Sequence, residues 1–143
     1  MIFLDTGFLF ALFVEGDVNH ERVQEVFGQY RGRRLDQVLM TTNHVVGETV
    51  TLLGKRGHPN PRIRHELAVM VGEQLFGGTL GQIHRTTEEE EHEAIAYLKK
   101  YADQDYSFVD CLSFVVMEKH EIREAWAVDS DFTHRFITRP GPA

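Results

Sequence analysis

Four carboxylates stand out because their surroundings do not suit a solvated acid. Asp5 closes the short apolar run Ile2-Phe3-Leu4, and Asp129 closes Ala125-Trp126-Ala127-Val128 in the same manner. Runs of this kind read as buried parallel strands, and an acid at the carboxyl end falls where open α/β sheets bind ligands. Glu48 has Val45 at i−3 and Leu52 at i+4, so the three share one helix face. A carboxylate on an apolar face is costly unless it is paired or holds a cation. Asp110 lies in Tyr106-Ser107-Phe108-Val109-Asp110-Cys111-Leu112-Ser113-Phe114, a segment otherwise destined for burial. Each acid also has a structural alternative: Asp5 and Asp129 as helix N-caps, Glu48 as a residue of an outer face, and Asp110 as the third residue of a capping box with Ser107.

The chemistry open to such residues is that of hard divalent cations. Mg²⁺ and Mn²⁺ prefer carboxylate oxygens and water over thiolate or imidazole. The single cysteine, Cys111, excludes an internal disulfide and a Cys-based zinc site, and implies a reducing compartment. The eight histidines show no HExxH or other compact ligand spacing and read mostly as surface residues, with His44 and His134 nearest the acids in sequence. Asp17, Asp36 and Asp103 read as turn and cap residues.

Strands alternating with helical segments must position these acids. Strands are predicted over residues 2–5, Asp36 to Thr41, Gln82 to Arg85 and Ala125 to Val128. Helices are predicted over Phe8 to Phe13, from an Asp17 N-cap through Phe27, from Asn43 to Lys55, and from Pro61 through Val71. Two capping boxes, Thr86 or Thr87 with Glu89 or Glu90 and Ser107 with Asp110, open helices reaching Tyr101 and about His120. A last short helix is expected through Phe132 and Phe136. The alternation implies a parallel sheet with helices on both faces. Length fits one domain, residues 1–143, with no linker or repeat to divide it.

The net charge of −7 argues against a passive nucleic-acid binder, which carries a basic face, but not against an enzyme whose bound cations meet a phosphate. No signal peptide is visible, and the longest apolar run, Phe8 to Val14, is too short to span a bilayer. The expected setting is therefore the cytoplasm, without membrane attachment.

The sequence resembles the PIN-domain family and, within it, the VapC-type toxins of toxin–antitoxin pairs. The resemblance rests on Phe3-Leu4-Asp5-Thr6-Gly7, Thr41-Thr42-Asn43-His44-Val45-Val46-Gly47-Glu48, Tyr106 to Phe114, and Ala127-Val128-Asp129-Ser130-Asp131-Phe132, which keep the family's order across nearly the whole chain. It implies a three-layer α/β/α fold with a central parallel sheet of four to five strands. It also implies divalent-metal-dependent cleavage of RNA, with one or two Mg²⁺ or Mn²⁺ ions held by Asp5, Glu48, Asp110 and Asp129; single-stranded RNA is the expected target, since a compact acidic pocket admits an unstacked strand more easily. Asp105, Asp131 and Thr6 match a second tier, Thr6 as a residue that orients a carboxylate or water. Relatives often carry a Thr where this chain has Ala127-Val128, which leaves Asp129 and Asp131 as alternatives for the fourth acid.

Arg31, Arg33, Arg34, Lys55 and Arg56, with Arg62 and Arg64 behind them, are the candidate RNA-binding cations. The resemblance further implies a small antitoxin partner and a homodimer, with the apolar N-terminal segment (Phe8, Leu9, Phe10, Leu12, Phe13) as a candidate contact surface. A haloacid-dehalogenase-like phosphatase also places an Asp after its first strand, but expects a second Asp where this chain has Gly7. A non-catalytic PIN-like scaffold and a housekeeping RNA-processing nuclease are the remaining alternatives.

Overall fold

The apolar runs condense into one all-parallel sheet in the computed structural model, which describes residues 1–143. The strands are β1 (Ile2–Leu4), β2 (Leu39–Thr42), β3 (Gln82–His84), β4 (Glu124–Ala127) and β5 (Ile137–Pro140). The helices are α1 (Thr6–Phe13), α2 (His20–Gly28), α3 (Leu35–Val38), α4 (Asn43–Arg56), α5 (Pro61–Phe76), α6 (Glu88–Lys100) and α7 (Phe108–Lys119). Strand order is β3-β2-β1-β4-β5, with Ile2 opposite Leu39 on one side and Leu4 opposite Trp126 on the other.

This order places the site. The chain steps outward from β1 to β2 and β3, then returns through α6 and α7 to β4 on the other side of β1. Right-handed crossovers in opposite directions put α1, α2, α4 and α5 on one face and α6 with α7 on the other. The three-layer architecture with a parallel sheet is therefore present, with five strands. The reversal between β1 and β4 is the topological switch point, where a crevice opens beyond the strand ends.

The interior is aromatic. Trp126, fully buried, meets Tyr30 at 4.9 Å, Phe8 at 5.1 Å and Phe27 at 6.4 Å between ring centroids. On the other face Phe114 meets Phe132 at 5.0 Å and Tyr106 at 5.1 Å. Both capping boxes form: Thr87 with Glu90 opens α6, and Ser107 with Asp110 opens α7. Asn60 caps α5 with Pro61 in the first turn.

Several expectations need correction. Asp36 to Val38 is not strand but a helical turn, closed by the Leu39 amide on the Leu35 carbonyl and braced by the Arg34–Asp36 pair. The strand starts only at Leu39, where pairing with Ile2 begins. The segment through Phe132 and Phe136 forms turns rather than a helix, and its two rings pack on Phe114. It delivers the chain to β5, a strand not predicted, which pairs with β4 from Glu124–Ile137 to Ala127–Pro140. Asp17 accepts a hydrogen bond from the Asn19 amide in the turn before α2 and does not cap the helix itself. The apolar α1 segment is not an exposed contact surface: Phe8, Leu9 and Leu12 are buried and Phe10 and Phe13 half-buried, because α1 lies on the sheet against Trp126.

Candidate active site

Asp5 sits at the switch point, held by its backbone. Its amide donates to the Trp126 carbonyl at 3.0 Å, extending β1 by one residue, and its carbonyl accepts the Leu9 amide at 3.1 Å, starting α1. The residue occupies the N-cap position, yet its side chain makes no capping hydrogen bond. The carboxyl is only 4% exposed, and its pKa is driven well above the ordinary carboxylate range. Burial is the main cause; the negative charges of Asp110 and Asp129 add to it, the Thr6 backbone opposes it, and Glu48 raises it further. The neighbouring Thr6 hydroxyl is buried and has no hydrogen-bond partner. Gly7 completes the segment: a Cβ there would lie 2.9 Å from Val128 Cγ2 and 3.8 Å from Asp5 Oδ2, so a larger residue would force the Val128 side chain or α1 to shift.

Asp110 enters from the first turn of α7. Its Oδ2 accepts the Ser107 amide at 2.9 Å, while its own amide donates to Ser107 Oγ at 3.0 Å. The box locks the carboxylate in place and leaves its other oxygen uncommitted. Burial pushes this pKa up to about 6 against the Ser107 backbone hydrogen bond, with Asp131 and Asp129 also raising it. Asp131 is raised by burial, then by Asp129 and Asp105. The Asp131 amide donates to Asp129 Oδ1 at 3.1 Å, so the two acids share one turn after β4. Glu48, half-buried in α4, lines a groove with Asn43, His44, Gly47, Thr51, Leu52 and Val109, the residue next to Asp110.

The fold thus brings Glu48, Asp110 and Asp129 within electrostatic reach of Asp5, with Asp131 acting on Asp110 and Asp105 on Asp131. None of the six ion pairs in the molecule involves any of these acids. Asp5 and Asp110, buried beside other carboxylates, are tolerated there only by taking up protons or a cation. An all-oxygen donor set, a buried acid without a counterion and an unpartnered hydroxyl beside it fit a hard divalent ion.

The candidate RNA-binding cations divide. Arg56, at the end of α4, lines a cleft with Gly7, Leu52 and Val128 and has no ion-pair partner; Lys55 precedes it. Arg31, Arg33 and Arg34 enter β2 from the amino edge of the sheet, opposite the strand ends that carry the acids. Arg33 stacks on Tyr30 at 4.7 Å and Arg34 pairs with Asp36 at 2.9 Å. Arg62 pairs with Glu66, and Arg64 donates to the Gly54 and Pro59 carbonyls. Sequence spacing missed a second grouping, His84, Glu90 and His120, which fall 6 and 30 residues apart and meet only through the fold.

Comparison with known proteins agrees with this architecture. Residues 2–135 match the PIN domain family. The chain is 37% identical over 133 residues to the 23S rRNA-specific endonuclease VapC20 of Mycobacterium tuberculosis, in strains CDC 1551 / Oshkosh and ATCC 25618 / H37Rv, covering 93% of this chain and 92% of the relative. The crystal structure of Mycobacterium tuberculosis VapC20, described as a sarcin–ricin loop cleaving toxin, superposes with a TM-score of 0.81 at 34% identity, covering 94% of each chain. Fold, family match and likeness to VapC-type toxin ribonucleases together show that the chain belongs to the PIN-domain family.

Proposed function

We propose that the protein is a divalent-metal-dependent endoribonuclease that hydrolyses phosphodiester bonds of single-stranded or looped RNA, and that it is the toxin of a toxin–antitoxin pair. The observation that carries this reading is the buried Asp5 carboxyl, crowded by Asp110, Asp129 and Glu48 with no cation among its partners. Asp5, Glu48, Asp110 and Asp129 would hold one or two Mg²⁺ or Mn²⁺ ions. When bound, such ions supply the positive charge that meets the scissile phosphate and acidify the attacking water.

The chain's own residues supply position and selectivity. Asp5 has its backbone fixed by two hydrogen bonds, which sets where its carboxylate leaves the end of β1. The Ser107 box does the same for Asp110 and leaves one oxygen for the site. The Thr6 hydroxyl, buried without a hydrogen-bond partner, would orient the water or a neighbouring carboxylate. Asp131 and Asp105 add negative potential at the rim, which disfavours approach of a phosphate until cations are present. Arg56, in the cleft beside Gly7 and Val128, offers a contact for a flanking phosphate. An unstacked strand or loop can bend a single phosphodiester into such a crevice, whereas a duplex holds its backbone in a rigid regular helix.

The relative's description as rRNA-specific makes a loop of large-subunit ribosomal RNA the first substrate to test. An antitoxin and a second copy of the chain are the proposed partners. The apolar strip between α4 and α5, with Val50, Ala68, Val69, Gly72 and Phe76, offers contact surface where α1 does not. No helix is long and apolar enough to cross a membrane, in keeping with the proposed cytoplasmic location. The test is purified protein with ribosomal RNA and Mn²⁺, followed by end-group analysis. Hydrolysis by an activated water yields a 5′-phosphate and a 3′-hydroxyl; a 2′,3′-cyclic phosphate, or cleavage that survives EDTA, contradicts the proposal.

A further inference from the structure

Away from the acid crevice, three donors of a different chemical kind converge. His84 is the last residue of β3, Glu90 lies in the first turn of α6, and His120 follows the last residue of α7. One ligand atom from each lies within 4.8 Å of the other two. The two imidazole rings meet edge to face, 4.8 Å between centroids. The Glu90 carboxylate beneath them is fully buried, and its orientation is locked by the Thr87 amide at 3.1 Å. The ligands to its charge are cationic or can be: His84 Nε2 reaches its two oxygens at 2.9 and 3.1 Å, and Lys119 Nζ reaches Oε1 at 3.0 Å.

From this arrangement we infer that His84, Glu90 and His120 form a second metal site, one for a borderline transition ion of the Zn²⁺ or Co²⁺ class. Two imidazoles with one carboxylate are the donors such ions select, whereas Mg²⁺ and Mn²⁺ favour the all-oxygen crevice. A tetrahedral ion with ligands at about 2.1 Å needs donors about 3.4 Å apart. The residual gap is closed by the exposed His120, whose ring is free to turn inward. His84 then binds as neutral imidazole through the nitrogen that now faces Glu90. The Lys119 ammonium, on a side chain 49% exposed, gives way to the stronger charge, and water fills the fourth position. None of these residues is among the principal charges felt by Asp5 or Asp110. The ion's role is mechanical: it fastens the edge strand β3 to the start of α6 and the end of α7.

Co²⁺ titration of the chelator-treated, full-length protein in excess Mg²⁺ tests this. Mg²⁺ occupies the oxygen-rich crevice, and tetrahedral Co²⁺ with nitrogen ligands absorbs far more strongly in the visible than Co²⁺ in an octahedral oxygen site. The expected result is an intense band saturating at one equivalent, abolished by Zn²⁺ and retained in Asp5→Asn. His120→Ala removes an exposed ligand without touching the core. It should weaken binding by about tenfold or more, since loss of an outer-shell partner alone commonly costs about 10–100-fold. His84→Gln, which keeps a donor for Glu90, should do the same. No intense band in the wild type, or a band that His120→Ala leaves unchanged, overturns the site whatever the outcome of RNA cleavage.

Discussion

Replacing Asp110 by Asn should make the metal-free protein more stable, although it removes a residue of the proposed active site. The folded-state pKa of Asp110 is about 6 against an ordinary 3.8, so the folded chain binds this proton more tightly than the unfolded chain. The sign follows: the favourable contribution is complete below about pH 4 and is lost as pH rises through about 6. At neutral pH the ionised group therefore costs the fold roughly 3 kcal/mol, from about two pKa units at 1.36 kcal/mol each. The Asn amide oxygen can still accept the Ser107 amide hydrogen bond, so the cap survives. What is lost is the favourable charge at the start of α7, about 0.3–1 kcal/mol. The net gain is about 2 kcal/mol, which for a domain of this size raises Tm by roughly 4–8 °C. Thermal melts in EDTA at about pH 8 and about pH 4 read this directly: the variant should melt higher at the first and level with the wild type at the second. Mn²⁺ should shrink this difference, because an ion at 100 Kd contributes about 2.7 kcal/mol to the wild type and less to the variant. If Asp110→Asn melts lower than the wild type in EDTA at the higher pH, the carboxylate is compensated and the reasoning fails.

Arg56→Ala should weaken RNA binding by the inactive Asp5→Asn protein and lower its salt slope by about 1, while Arg34→Ala, already paired with Asp36 at the far edge, should change neither; fluorescence anisotropy against salt concentration separates them. Gly81→Ala should cost about 1–3 kcal/mol or more in urea unfolding, since Gly81 has a φ of +118° and a Cβ would sit 2.5 Å from the Leu39 carbonyl oxygen. An unchanged urea midpoint would show that the β2–β3 edge can shift to accept the side chain.

The parts of the fold legible in the sequence were those set by short-range rules. Ser107 with Asp110 and Thr87 with Glu90 are local capping geometries, and both formed as read. Apolar runs ending in Asp5 and Asp129 read correctly as strand ends because a doubly covered parallel strand needs continuous apolar residues. The errors arose where tertiary pairing decides. β5 reads Ile-Thr-Arg-Pro with alternating exposure, and its proline is tolerated only because the strand lies at the sheet edge. Leu35–Val38 took a helical turn because strand pairing with β1 does not begin before Leu39. Phe8 to Phe13 looked like a docking face because an apolar helix carries no label for which neighbour buries it; Trp126, far along the chain, does so. The candidate acids are picked out one by one in the sequence by unsuitable surroundings and are expected there to repel one another; that Asp129 acts on Asp5 depends on β1 and β4 lying side by side. His84, Glu90 and His120 carry no spacing signature, since they come from three elements that meet only in the folded chain.

The proposed hydrolysis requires a hard cation held by Asp5 and its neighbours. The most direct measurement is anomalous diffraction from crystals soaked in Mn²⁺. It should show an ion in contact with Asp5, with Asp110, Glu48 and Asp129 around it directly or through water, and no such ion in Asp5→Asn. Manganese found only elsewhere on the protein, or an unaltered peak in Asp5→Asn, would contradict it.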